Sequence, residues 1–217
     1  MIQPPVAAPP TPSAPLPPHP LKGKKYDIVL MDPPWSHYGD PNKMAAAGKH
    51  YTLMSDDDVK NLPVRSILKK DAYVFVWATG PRLGIALEAI KAWKLHYRGI
   101  AHVWVKTRKD GKIIHGQGIP PTYSKPTTEL LLVATTRRTG RPVPLLDSAL
   151  PQVVLEPRAG HSVKPAKFRQ LIEKGLGQGN DKLEMFARQT VTGWDAIGDA
   201  VSAGEDIRVT LARMTEK

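Results

Sequence analysis

Apolar positions along the chain fall into short blocks, and the block lengths predict the elements. Tyr26-Asp27-Ile28-Val29-Leu30-Met31 is a run of strand length, as expected for a strand buried on both faces. Asp32-Pro33-Pro34-Trp35 ends it, because proline cannot donate to a β-ladder. A second buried strand is predicted over Tyr73–Ala78, with further strands at His102–Lys106, Glu129–Ala134, Val153–Leu155 and Lys182–Ala187. Between them, Ser55 followed by Asp56, Asp57 and Asp58 marks a helix start, with acids where the helix dipole favours them. Gly80-Pro81 opens a helix to about Trp93, with Leu83, Leu87, Ile90 and Trp93 on one face. Pro165 opens another, to about Lys174, and the glycines of Gly175–Gly179 predict its C-cap and loop. The stretch Lys106–Lys125 has charges, glycines and prolines but no period, and predicts a long loop.

Strands alternating with helices predict an α/β fold with a mostly parallel sheet and helices on both faces. The 217 residues suffice for one domain of that kind. Nine of the first twenty residues are proline, so 1–23 is expected to be an extended arm. The domain is expected over 24–200, and no element is assigned within the tail 201–217. No apolar run approaches the roughly 18 residues of a membrane span, so no membrane association is expected. The N-terminus lacks the basic start of a secretory signal.

The absence of cysteine excludes disulfide scaffolds, thiol nucleophiles and cysteine-ligated metals, and is compatible with a reducing compartment. Of the seven histidines, His37, His50, His96, His102, His115 and His161 show no ligand spacing, and no metal is expected. Charge adds a positive clue. Lys and Arg number 31 against 20 acids, a net +11, and Lys91–Arg141 alone holds eleven basic and two acidic residues. Such unevenness suggests a polyanionic partner, the alternative being a solvated basic surface.

The Asp32–Trp35 turn lies where open α/β sheets bind ligands, outside the carboxyl end of a strand. It fixes a carboxylate, two constrained carbonyls and a flat ring. That set suits a planar heterocycle bearing an amine, which would donate to Asp32 and to the Pro33 carbonyl and stack on Trp35. Accepting those hydrogens draws the nitrogen lone pair out of ring conjugation and makes the amine a nucleophile. The bland alternative is a strand ending in a Pro-Pro turn with a packed tryptophan.

Several further segments accompany the turn: Tyr51–Asp57, Val74–Thr79 with Gly80, Trp104-Val105-Lys106-Thr107 and Glu129–Val133. Ser162-Val163-Lys164-Pro165, Lys182–Arg188, and Trp194 with Gly198 complete the series. In this order, over roughly Tyr26 to Asp199, the chain resembles the adenine-N6 methyltransferases related to the catalytic subunit of the eukaryotic messenger-RNA methylation complex. The resemblance implies a Rossmann-like fold that binds S-adenosylmethionine beside the turn. No Gly-x-Gly-x-x-Gly follows a strand, consistent with a cofactor site assembled from several loops.

By resemblance, Asp32 and Pro33 hold the target amine, Pro34 fixes the turn and Trp35 lines the base pocket. Tyr51, Glu129, Ser162 and Lys164 border the base, and Asp32, Lys164, Arg188, Gly198 and Asp199 meet the cofactor. Glu129 has an alternative reading as an edge-strand salt bridge. Lys164 opens a helix where the dipole disfavours a cation, which supports a ligand role. Some features depart from the family: Asp199 stands where it commonly has Asn, the His-Asn pair after Arg188 is absent, and no residue is assigned to clasp the cofactor adenine.

The implied chemistry is direct in-line transfer of a methyl group to the N6 amine of adenine, with Asp32 stabilising the growing positive charge. In duplex DNA the base must be flipped out to reach Asp32. Lys106, Arg108, Lys109, Lys112, Lys125, Arg137, Arg138 and Arg141 are then expected to hold phosphates, which position without specifying. The compact chain is expected to be a DNA enzyme of bacterial or phage type, cytoplasmic, acting alone or as a homodimer. The alternatives are the same chemistry on RNA, and a non-catalytic nucleic-acid-binding partner of the same fold.

Overall fold

The computed structural model describes residues 18–35, 54–116, 123–160 and 163–216. In chain order these form β1 (Tyr26–Met31), α1 (Asp56–Lys60), β2 (Leu68–Ala78), α2 (Leu83–Ala92), β3 (His96–Thr107), β4 (Thr128–Thr135), β5 (Val153–Pro157), α3 (Lys167–Leu176), β6 (Lys182–Met185), β7 (Asp195–Ile197) and α4 (Ile207–Thr215). Residues 1–17 of the predicted arm lie outside the described residues; within 18–23 the Lys22 amide donates to the His19 carbonyl at 2.9 Å and the Gly23 amide to the Met214 carbonyl at 2.9 Å.

One seven-stranded sheet has the order β5-β3-β4-β2-β1-β6-β7. β4 pairs antiparallel with both β2 and β3, whereas every other pairing is parallel. All strands except β4 therefore point the same way. Their carboxyl ends gather at one end of the sheet together with the amino end of β4. The chain winds from β1 outward to β2 and later returns to add β6 on the other side of β1. The sequence order thus reverses beside β1, the place where such sheets open a ligand crevice.

Period-2 alternation divides the core in two. Val29 and Met31 of β1, with Val74 and Val76 of β2, face Val59 of α1, Ala86 and Ile90 of α2, and Leu211 of α4. Ile28, Leu30, Phe75, Trp77 and Trp104 face Phe168, Leu171 and Ile172 of α3. Trp77 and Phe168 meet edge-to-face with centroids 4.8 Å apart, an arrangement contributing about 0.5–1.5 kcal/mol beyond area burial. Helices on both faces and a mostly parallel sheet agree with the expected fold class.

Local differences have physical causes. The Gly80-Pro81 segment makes a 3-10 turn over Gly80–Arg82 before α2 begins at Leu83. Small Ala86 and Ala89 face the sheet beside Ile90, while Leu83 and Leu87 pack at the margin. α1 starts as predicted: Ser55 accepts from the Asp58 amide while Asp58 accepts from the Ser55 amide, a capping box. β3 is twelve residues long, because its first half pairs with β4 although its outer positions are exposed. α4 occupies the tail that carried no predicted element. Asp206 caps it, and Ile207, Leu211 and Met214, at helical spacing, enter the larger core.

Candidate functional site

Asp32 follows Met31 on the face shared by Leu30, Trp77 and Trp104, the α3 side of the sheet. The turn after it is tight: the Trp35 amide donates to the Pro33 carbonyl at 2.7 Å. That carbonyl keeps a second lone pair for a ligand. Trp35 is 9% exposed, and its Nε1 donates to the Trp77 carbonyl at 2.8 Å. The open stacking face expected of Trp35 is therefore corrected. A buried indole needs an acceptor, and the carbonyl near the end of β2 supplies one, so Trp35 bolts the turn to the neighbouring strand.

Lys164 Nζ lies 2.7 Å from Asp32 Oδ2 and 3.2 Å from Glu129 Oε2, and 5.6 Å from the centre of the Trp77 ring. Glu129 Oε1 accepts in turn from Lys106 Nζ at 2.5 Å. Lys106, Glu129, Lys164 and Asp32 thus form a line of alternating charge across β3, β4 and β1. Two expectations change here. β4 lies between β3 and β2, so Glu129 is on an interior strand and not at an edge. Lys164 does not open a helix: α3 begins at Lys167 with Ala166 as its cap, and the lysine is held by carboxylates before the helix dipole begins.

Protonation follows from this geometry. Burial pushes the Asp32 carboxyl above its ordinary range, against the pull of Lys164 and Arg188 and with a further push from Glu129. Burial also opposes the charge on Glu129, but Lys164 and Lys106 together outweigh it and hold that carboxyl below its ordinary range. For Lys164, burial is outweighed by Asp32 and Glu129, and its pKa rises. Beneath them on the same face, Glu184 of β6 pairs with Arg169 of α3 at 3.0 Å, tying the helix that follows Lys164 to the strand beside β1. Burial raises Glu184 above its usual range despite Arg169.

Other predicted cofactor residues gather at the same end of the sheet. Arg188 follows β6, is exposed, and acts electrostatically on Asp32. Gly198 follows β7 in a left-handed conformation, φ +155°, where a Cβ would lie 2.8 Å from the backbone N and O of Ala187. Only glycine permits that approach, which binds the two loops together. Asp199 Oδ1 accepts from the Ala200 amide at 2.8 Å. Tyr51 and Ser162 lie outside the described residues.

The predicted phosphate contacts divide. Lys109, Lys112 and Lys125 are exposed at the site end of the sheet. Arg108 is exposed there too, on its loop neighbour Asp110 at 2.8 Å. Lys106 is committed to Glu129 and is a residue of β3, so it is withdrawn from this set. Arg137, Arg138 and Arg141 follow the carboxyl end of the one reversed strand, which places them at the opposite end of the sheet from Asp32. Sequence reasoning missed Trp77, Arg169 and Glu184 as neighbours of the site. It also missed exposed Arg158, whose amide bonds to Thr107 at the site end. Trp77 and Glu184 lie on strands paired with β4 and β1, so only the strand pairing, which no local pattern records, brings them to the site.

The chain is 28% identical over 195 residues to the Type II methyltransferase M.MunI of Mycoplasma sp., covering 82% of this chain and 78% of that protein. It is 30% identical over 192 residues to the N6-methyladenosine RNA methyltransferase MTA1 of Pyricularia oryzae, covering 81% of this chain and 47% of that protein. To the N(6)-adenine-specific methyltransferase METTL4 of mouse it is 25% identical over 188 residues, covering 82% and 38%. This chain therefore spans less than half the length of the latter two. The MT-A70 family model matches residues 26–200, the whole sheet with Asp32, Glu129, Lys164 and Arg188, and the chain belongs to the MT-A70 family.

Proposed function

We propose that this protein transfers a methyl group from S-adenosylmethionine to the N6 amine of adenine in DNA. The observation that carries the reading is the Asp32 carboxylate, fixed at the open end of the sheet by its Pro-Pro turn and poised against Lys164, in a chain of this family.

The donor set suits the cofactor. Lys164 would take the carboxylate of its methionine part and Asp32 the ammonium. Arg188 and Asp199 would serve the ribose hydroxyls, beside the close backbone approach at Gly198. When bound, S-adenosylmethionine supplies a methyl group carried on a positively charged sulfur. Asp32 and the free lone pair of the Pro33 carbonyl hold the adenine amine by its two hydrogens. Asp32 also stabilises the positive charge that grows on the nitrogen, and the proton then leaves to Asp32 or to water. Trp35, locked to Trp77, keeps the turn from yielding. Lys109, Lys112, Lys125 and Arg158 supply phosphate contacts around a flipped base.

DNA is favoured because the compact bacterial relative M.MunI is covered over most of its length. The similarity to a fungal RNA methyltransferase supports the second reading, the same chemistry on RNA adenine. Asp32→Ala tests the catalytic reading against a non-catalytic binding partner. Methyl transfer should vanish while affinity for nucleic acid stays within a few-fold, and equal behaviour of variant and wild type in both assays would overturn it.

A further inference from the structure

The basic residues of the middle third form two surfaces and not one. The second is built around the turn that leaves β4 at the end of the sheet remote from Asp32. That turn is held firmly. Thr135 Oγ1 donates to the Arg137 carbonyl at 2.7 Å, the Thr136 amide donates to the Ala72 carbonyl at 3.1 Å, and the Ala72 amide donates back to Thr136 Oγ1 at 2.9 Å. Arg137 is tied side-on to Asp71, with Nε 2.5 Å from Oδ1 and Nη2 3.3 Å from Oδ2. Arg98, near the start of β3, donates from Nη1 to the Arg138 carbonyl at 3.0 Å. Arg98 and Arg141 both act on the phenol of Tyr73, which places them on one patch of surface.

Arg98, Arg138 and Arg141 are all exposed, and among the described residues no carboxylate forms an ion pair with any of them. Asp71, the acid of the patch, is already spent on Arg137. Three like charges gathered on a stapled turn repel one another, and a polyanion relieves that repulsion. β4 has eight residues, so the patch stands about 25 Å from the site end at roughly 3.4 Å per residue. That distance is about seven base-pair steps of duplex at 3.4 Å each. A short oligonucleotide seated over Asp32 does not reach it.

We propose that Arg98, Arg138 and Arg141 form a second phosphate-binding surface, which engages a segment of the same polynucleotide remote from the target base. The inference rests on the reading of the substrate as a nucleic acid, and it assigns these arginines to substrate length and not to the chemistry. The test uses Arg138→Ala/Arg141→Ala, which leaves the Arg98 clamp and the Asp32 site untouched, and the charge-conserving Arg138→Lys/Arg141→Lys. Binding to an 8-base-pair and a 40-base-pair duplex is measured over a range of KCl concentrations, with methyl transfer to each measured in parallel.

For the long duplex, the alanine variant should lose at least about tenfold in affinity at low salt, and the slope of log K against log salt should fall by about two. Its affinity for the short duplex and its transfer rate there should stay within twofold, and the lysine variant should behave as wild type. Equal loss on both lengths, or loss on neither, overturns the assignment. If wild type transfers no methyl group yet the length-dependent loss appears, the methyltransferase reading fails while the surface stands.

Discussion

Lys164 Nζ stands 2.7 Å from Asp32 and 3.2 Å from Glu129, so one buried cation divides its charge between two carboxylates. Its side chain is 14% exposed, against 30% for Asp32 and 11% for Glu129. Lys164→Met leaves both acids short of a partner. We expect a loss of about 3 kcal/mol, the low end for a broken buried pair because Asp32 keeps some solvent and Glu129 keeps Lys106. Urea unfolding reads the stability, and cofactor affinity should fall in parallel.

The pH dependence has a definite sign. Burial raises Asp32 above the ordinary carboxylate range, and the proposed reaction needs the carboxylate. The rate therefore falls as pH drops through that raised value, giving an acid limb above the range of a free aspartate. Glu129→Gln removes a negative neighbour that pushes Asp32 up, so the limb in kcat/KM should move to lower pH. A move to higher pH would contradict the charge arrangement.

Stability responds to pH in the opposite sense at the two acids. Glu129 is held below its ordinary value of 4.5, so its contribution is present above that value and lost as pH falls through the lower folded one. Asp32, raised in the fold, favours folding only at low pH, and that contribution is lost as pH rises through its folded value. Urea unfolding of Glu129→Gln compared with wild type from pH 3 to 7 reads the first effect together with the smaller rise left at Asp32 once its negative neighbour is gone. The gap between them should widen with rising pH.

Trp35→Phe keeps a benzene ring at this buried position but removes the five-membered ring of the indole and its bond to the Trp77 carbonyl. An unpaired buried carbonyl costs about 1–3 kcal/mol. The variant should be less stable by at least that amount and lose kcat more than it gains in KM, because the turn that carries Asp32 is no longer pinned to β2. Thermal unfolding and steady-state kinetics check both parts.

Gly198→Ala forces a Cβ to within 2.8 Å of the Ala187 backbone in a conformation that L-residues rarely adopt. Strain of about 1–3 kcal/mol must be relieved by moving the loops that carry Arg188 and Asp199. Cofactor affinity, read by calorimetry, should weaken by tenfold or more, while nucleic-acid affinity stays unchanged.

The sequence showed the parts of the fold that burial dictates locally. β1 and β2 are legible because strands apolar on both faces read as unbroken runs. The Asp32–Trp35 turn is legible because two prolines must end such a run. β7 has only three residues, and α4 shows its apolar face only as Ile207, Leu211 and Met214 at helical spacing, so neither carries a strong local signal. The site was legible as residue types but not as partners. That Lys106 serves Glu129, and that Trp35 is packed under the turn, depends on which strands are neighbours. The placement of Arg138 and Arg141 turns on the direction of β4, which strand pairing decides and no local pattern records.

The most direct measurement supplies methyl-labelled S-adenosylmethionine to the purified protein with duplex DNA, single-stranded DNA and RNA in separate reactions. Each product is then digested to nucleosides for mass spectrometry. Label is expected in N6-methyldeoxyadenosine, and none with Asp32→Ala. Label confined to the ribonucleoside would move the substrate to RNA. No label in any polymer, together with no cofactor binding, would contradict the central claim.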